Sequence, residues 1–545
     1  MKHGLIAGVV LLFVCGSAYA TAYTWTSNTT TNYLSDAAWQ GGSAPADSTS
    51  VLGTAHTVTK GGVGFGGGIA QITTGATIYI GQLTVDNGDF GSGQVNLYIL
   101  DDCGMSGDLT VSGTGRMLTS AGSYFYIDGD VSIRSGGIEG NTKTYRTAVT
   151  LQGPGNTFED LDTASWSRVN IASTASYSTV GSSRLRASTF DLQGAFSGDA
   201  KARDILRTPG SSWSAGGLLQ VAQATGTVTH SIGAGNYPNI LTQQDYLSDA
   251  NALRTYRLKG DIDVQGYLYI DHWYDRKRAN RTIHGRLDTD NGDGSYADVS
   301  VSGDFILGSD QFPDAPSMFS GVLAHSSEFD IRGNATFRGY GYVYGGTSTW
   351  NFGGNVLFGP YFDFDNTDMS QTKVVIDGAG TQHLAFSNLL MLGNVEVAQT
   401  GSTIQLDDNL MLAGDLTFTS DSTVEIPDEK NAFIFRGGID NFDNAQRIHV
   451  NNADLVNVTI AVLNPPSYVR LESDLTISDN LNMEAGTKLF LNGYTLTVNE
   501  ETVNPGLWDQ GEIVGTGVVP EPGTMLLLGT GLVGAFGYIR RRRMK

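Results

Sequence analysis

Asp288, Asp290, Asn291 and Asp293, interleaved with Gly292 and Gly294, make an oxygen-rich turn in this 545-residue chain. A calcium ion takes about six to eight oxygen ligands, and such a turn supplies several. Counting back from Asp293-Gly294 places the first position of an EF-hand loop on Thr289, so that register fails. A non-standard site would draw on Asp288, Asp290, Asp293 and Asp298; the plainer expectation is a turn solvated by its own charges. Just before it stand Asp271, His272, Trp273, Tyr274, Asp275, Arg276, Lys277, Arg278, Arg281 and His284. Carboxylates, a base and aromatic rings are what a polysaccharide lyase or hydrolase brings to a sugar. No pair here has a spacing that fixes geometry, and a charged protruding loop explains the same residues. Tyr340, Tyr342 and Tyr344 alternate along a strand pattern that Trp350 and Phe352 continue. That pattern suits an aromatic ladder between stacked coils, or a sugar platform.

Other chemistry is weaker. Gly62-Val63-Gly64-Phe65-Gly66-Gly67 has a dinucleotide-type glycine spacing but leads into Ile69-Ala70-Gln71-Ile72-Thr73, a strand pattern with no phosphate-facing helix. A glycine-rich corner is the reading. There is no His-x-x-x-His zinc pair, no Gly-x-Ser-x-Gly elbow and no usable cysteine nucleophile, so no catalytic residue is assigned.

The elements that must position these side chains follow from a five-residue word: Gly, then Asp or Asn, then apolar, any residue, apolar. It begins at Gly107, Gly129, Gly260, Gly303, Gly333, Gly354, Gly393 and Gly414, with weaker copies at Gly81 and Ser473. Steps of 21 or 22 residues separate 107 from 129, 333 from 354 and 393 from 414, and the step from 260 to 303 is about twice that. Gly, Asn and Asp tolerate left-handed backbone and would make a corner. The apolar-x-apolar that follows is a short strand with alternate side chains inward. A period of about 20–25 residues is one coil of a β-solenoid, and only stacked coils bury their faces. With 71 Gly against 13 Pro, the expected fold is all-β, a right-handed parallel β-helix over 21–505. The pattern weakens over 141–255, where longer coils or an inserted lobe would sit.

The two ends differ. Lys2 and His3 precede an apolar stretch from Leu5 to Val14, and Ala18-Tyr19-Ala20 is a small-x-small cleavage site. Residues 1–20 read as a secretory signal peptide with a helical apolar core. Its removal leaves Cys103 as the single cysteine, so no internal disulfide forms. After a linker over 506–519 come Val519-Pro520-Glu521-Pro522, an apolar run over 523–539, and Arg540, Arg541, Arg542, Arg543, Met544 and Lys545. About 17 apolar residues form a helix of about 26 Å, just enough to cross a bilayer. The arginines hold its end in the cytoplasm.

This tripartite tail resembles the PEP-CTERM sorting signal of Gram-negative bacteria. The resemblance implies recognition at Pro520, Glu521 and Pro522 by an exosortase, a membrane-embedded cysteine transpeptidase. It also implies residence in the inner membrane before processing, and a product at the cell surface or outside the cell. The first mature segment contains Tyr23-Thr24-Trp25, Ala37-Ala38-Trp39-Gln40-Gly41-Gly42 and Ala44-Pro45-Ala46-Asp47. It is similar to the entry of exported autotransporter-like β-helical proteins, which implies that Trp25 and Trp39 cap the first coil.

Without the two ends, the 33 Lys and Arg fall by six to 27 and the 55 Asp and Glu by one to 54, a net charge near −27. Such a body repels nucleic acid and polyanionic sugars, and suits divalent cations. The expected function is a non-enzymatic structural or adhesive surface protein of an extracellular matrix or biofilm, in contact with exopolysaccharide. A β-helix polysaccharide lyase or glycosidase is the first alternative. Ice binding is the second, although the Thr-x-Thr pairs fall out of register.

Overall fold

A computed structural model describes residues 103–498 with breaks at 106, 112–114, 120–123, 134–147, 161–165, 215, 222–227, 243–251, 271–272, 275–281, 309–319, 360, 365–370, 387–390, 420, 429, 437, 440–442, 452 and 462–466. Outside that range it describes the backbone of strands at 22–24, 31–32, 57–60, 69–72, 78–80, 82–85, 95–99 and 512–514. The signal peptide, Trp25, Trp39, the 62–67 glycine run and the sorting tail lie outside the described residues; within 506–519, expected as a linker, Glu512–Val514 is a strand paired in parallel with Lys488–Phe490. The chain divides into two compact units, 1–187 and 188–545.

The first unit is built from parallel strands. One sheet joins Ala22–Thr24, Thr57–Lys60, Gln82–Val85, Leu109–Val111, Val131–Ile133, Asn156–Asp160 and Ser176–Thr179. A second joins Thr31–Asn32, Ile69–Ile72, Val95–Ile99 and Gly115–Thr119. A third runs from Ile78–Ile80 through Cys103–Met105, Tyr124–Ile127 and Ala148–Leu151 to Trp166–Ile171.

The second unit repeats this plan on three faces, each strand pairing in parallel with its counterpart one coil later. The first face runs through Val299–Val301, Glu328–Ile331, Thr349–Phe352, Lys373–Ile376, Asn394–Val397 and Leu416–Phe418. The second runs through Ile240–Thr242, Leu268–Ile270, Phe305–Leu307, Ala335–Phe337, Val356–Phe358 and Thr381–Phe386. The third runs through Val228–Tyr237, Ala252–Val264, Thr282–Asp288, Ser320–Leu323 and Tyr340–Tyr344. This is a parallel β-helix. Within 141–255 some strands are longer, up to 10 residues in Val228–Tyr237, and keep parallel pairing.

Strand alternation puts apolar side chains inside, where equivalent positions stack. Phe329 lies on Trp350 at 3.9 Å between ring centroids and 4° between planes, and Phe337 lies on Phe358 at 4.2 Å and 6°. Each fully buried ring of this kind contributes about 2–3 kcal/mol. Trp166 and Trp213 are also core residues.

Two expectations need correction. The glycine of the repeated word is not mainly a left-handed residue. Gly260 has a φ of 126°, but Gly129, Gly303, Gly333, Gly354 and Gly414 are not among the positive-φ glycines. Their corners sit directly on the corner before. A Cβ at Gly333 would overlap the Gly303 carbonyl, one at Gly354 the Gly333 carbonyl, and one at Gly303 would lie 2.5 Å from Gly266 O. Glycine is required because coils a strand spacing apart, about 4.8 Å, leave no room for a side chain there. The step from 260 to 303 is also not two coils. Gly303 stacks on Gly266, donating to its carbonyl at 3.0 Å, and Phe305 pairs with Leu268. One coil is lengthened by two excursions: an antiparallel pairing of Trp273–Tyr274 with Thr282–Ile283, and a turn closed by the Asp290–Tyr296 bridge.

The second residue of the word has its own task. In all eight copies its side-chain oxygen accepts a hydrogen bond from a main-chain N–H one coil later. Asp108 accepts from Asp130 (2.8 Å), Asp130 from Thr157 (2.6 Å), Asp261 from Asp298 (2.9 Å) and Asp304 from Asn334 (2.8 Å). Asn334 accepts from Asn355 (3.1 Å), Asn355 from His383 (2.9 Å), Asn394 from Asp415 (2.9 Å) and Asp415 from Arg447 (2.8 Å). Main-chain donors at a corner have no strand partner, and these oxygens satisfy them.

Candidate functional site

The outward side of the third face carries the side chains that the repeat does not explain. Pairing register aligns them in two rows. One row runs Thr255, Arg286, Gly321, Tyr342; the other runs Arg257, Asp288, Leu323, Tyr344. In the first row Gly321 leaves a gap that the Tyr342 ring fills, since a Cβ there would meet the ring at 2.5 Å. Across that gap the Tyr342 hydroxyl reaches Arg286. Burial raises the Tyr342 hydroxyl above the usual phenol range, and the Arg286 charge opposes the shift. Arg286 also donates to Thr255 Oγ1 at 3.1 Å.

In the second row Asp288 is 3% exposed. Its Oδ2 accepts from Arg257 Nη2 at 3.0 Å, while its Oδ1 lies 3.2 Å from His325 Nε2 and accepts from Asp290 N at 3.1 Å. His325 has a φ of 53°, rare for a side chain of this size. Its ring stacks on Tyr296 at 5.0 Å and 16°. Lys259, two residues past Arg257, donates to Asn291 O at 2.7 Å. Tyr344 is 45% exposed, and its ring meets Tyr342 edge-on at 4.8 Å.

The four carboxylates singled out for calcium take separate tasks. Asp288 faces Arg257 and His325. Asp290 Oδ1 accepts from Gly292 N at 2.7 Å. Asp293 Oδ1 accepts from Ser295 N at 3.0 Å and Ser295 Oγ at 2.6 Å, bonds that lower its pKa. Asp298 belongs to a coil-to-coil ladder, accepting from Glu328 N at 2.8 Å. Among the described residues, no three His, Cys, Asp or Glu side chains gather to hold a metal ion.

The aromatic row divides in two. Trp350 and Phe352 point into the core, whereas Tyr342 and Tyr344 point outward. The Tyr340 side chain, Asp271, His272 and residues 275–281 lie outside the described residues. Sequence reasoning passed over Arg257, Lys259, Arg286 and His325. Arg257 and Asp288 are 31 residues apart, and only the strand register brings them together.

The other functional element is the tail. Residues 518–543 match the PEP-CTERM protein-sorting motif, spanning Pro520, Glu521, Pro522 and Arg540–Arg543. The chain carries a PEP-CTERM sorting signal. PEP-CTERM signals mark proteins that are exported, processed by an exosortase and sorted to the cell surface in Gram-negative bacteria. In this chain the signal follows a body of β-solenoid coils. No curated protein and no solved structure matches the chain.

Proposed function

We propose that this protein is a non-enzymatic surface component, with a structural and adhesive role in contact with exopolysaccharide in an extracellular matrix or biofilm. We take its solenoid to wind right-handed, as parallel crossovers do, and its 523–539 segment to hold it in the inner membrane until processing at Pro520-Glu521-Pro522. The observation that carries this reading is the joining of a PEP-CTERM tail to a body of stacked coils. A solenoid offers a long surface in which every coil adds area, which suits adhesion to a polymer.

A polysaccharide lyase or glycosidase is the second reading, favoured by the Arg257–Asp288–His325 group. Against it, both Asp288 oxygens are engaged and the carboxyl is buried, which suits an anchor for the 289–297 turn better than an acid or base facing a sugar.

The test has two arms. Glu521→Ala or Pro522→Ala should leave the full-length precursor in the inner membrane. Normal processing of both variants would make the motif a mere spacer. A strain lacking the protein should retain less polysaccharide at its surface. Shortening of matrix polysaccharide by the purified protein would instead establish the enzyme.

A further inference from the structure

The acidic average of this chain conceals a local reversal. Residues 201–286 carry 11 Lys and Arg against 7 Asp and no Glu, a net charge of +4. The other 459 residues carry 22 Lys and Arg against 48 Asp and Glu, a net charge of −26. Several cations elsewhere in the second unit are paired with carboxylates. Arg332 sits on Asp330 and Asp377, Lys373 on Glu396, and Arg470 on Glu472. On the outward side of the third face, two cations are not. Arg286 contacts the Thr255 and Tyr342 hydroxyls, and Lys259 is exposed and contacts a main-chain carbonyl. Neither forms an ion pair with a carboxylate among the described residues. The Lys259 charge acts on the Asp293 carboxylate without an ion-pair contact, and a local excess of cations in so acidic a protein favours negative charge arriving from outside.

The same rows supply a second kind of contact. Tyr344 and Tyr342 follow Arg286 and Asp288 by two coils, and Tyr344 is 45% exposed. A tyrosine ring offers an apolar face to a sugar ring and keeps a hydroxyl for its edge. We propose that the strip formed by Arg257, Lys259, Arg286, Tyr342 and Tyr344 binds an anionic, uronate-bearing polysaccharide laid across successive coils. Sugar carboxylates meet Lys259 and Arg286, and a sugar ring packs on Tyr344. The remaining negative charge of the body does not prevent this, because charges beyond about 8 Å are largely screened at physiological ionic strength. At this strip an acidic polymer would be attracted, against the repulsion expected from the average charge. The proposal rests on the exopolysaccharide reading and names the class of sugar.

The experiment measures binding of the full chain in detergent to polygalacturonate, to neutral dextran and to polyglutamate. Lys259→Met with Tyr344→Ala is the main variant, because both side chains are exposed and the fold does not need them; its melting curve should match wild type. The expected result is salt-sensitive binding of polygalacturonate, weaker binding of the other two polymers, and at least a tenfold loss for polygalacturonate in the variant. Equal polygalacturonate binding by variant and wild type overturns the strip. Dextran binding alone, unchanged in the variant, overturns the strip and keeps the exopolysaccharide reading. Polyglutamate bound as tightly as polygalacturonate overturns the sugar contact. No binding of any polymer overturns both the strip and that reading.

Discussion

The corners that begin at Gly303, Gly333 and Gly354 and the strip from Arg257 to Tyr344 belong to the same coils and follow opposite rules. At the corners each coil repeats the last: glycine on glycine, and an Asp or Asn oxygen on the next N–H. All of that chemistry is consumed between coils. Along either row of the strip no residue type repeats from coil to coil, and the rows read Thr-Arg-Gly-Tyr and Arg-Asp-Leu-Tyr. Repetition in a solenoid therefore marks what holds the stack together, and departure from it marks where the surface is free to take on function.

The comparison can be broken first in the core. Trp350→Ala removes the ring stacked on Phe329 and should cost about 3–5 kcal/mol, read from urea unfolding. A loss below about 1 kcal/mol would mean that the ring stack is not what carries the coils.

Acid should act next, through His230. This ring is 1% exposed, stacks on Tyr256 at 5.6 Å, and has no partner at Nε2. Burial lowers its pKa to about 4, with Arg203 and Arg254 helping and Asp204 opposing. The unfolded chain then binds the proton first. The contribution is whole above the ordinary histidine pKa of about 6.5 and is lost as pH falls through about 6.5 to 4, a change on the order of 2–3 kcal/mol. Comparing unfolding at pH 7 and pH 4.5, His230→Gln should lose less stability than wild type; an equal loss would remove this ring from the acid response.

Corner substitutions should be milder. Gly333→Ala puts a methyl group against the Gly303 carbonyl and should cost about 1–3 kcal/mol. Asn334→Ala leaves the Asn355 N–H without its acceptor and should cost about 1 kcal/mol. A neutral Gly333→Ala would show that the corners have room and that the glycine has another reason. The smallest stability change is expected at the strip, where Tyr344→Ala should shift the urea midpoint by less than about 0.5 kcal/mol.

The same division explains what the sequence made legible. The Gly-Asp/Asn word announced parallel coils because each copy is contiguous and several stack on their like, as Ala335 on Val356 and Val395 on Leu416 do. The tail was legible for the same reason, since its three parts follow one another in the chain. The function of the glycine was misjudged because a close approach between coils leaves the same residue type as a left-handed turn. The strip was not legible. Its members come from strands about 20–35 residues apart, and the antiparallel pairing of Trp273–Tyr274 with Thr282–Ile283 and the turn closed by the Asp290–Tyr296 bridge shift the count between them. Asp288 looked like a calcium ligand beside Asp290, when its partners Arg257 and His325 come from the coils on either side.

The most direct test measures stability and polygalacturonate binding together in Gly333→Ala and Tyr344→Ala. The account predicts that Gly333→Ala lowers stability and binds normally while folded, and that Tyr344→Ala melts like wild type and binds more weakly. A Tyr344→Ala protein that binds as well as wild type, or one that unfolds, would contradict the division between repeated structure and unrepeated function.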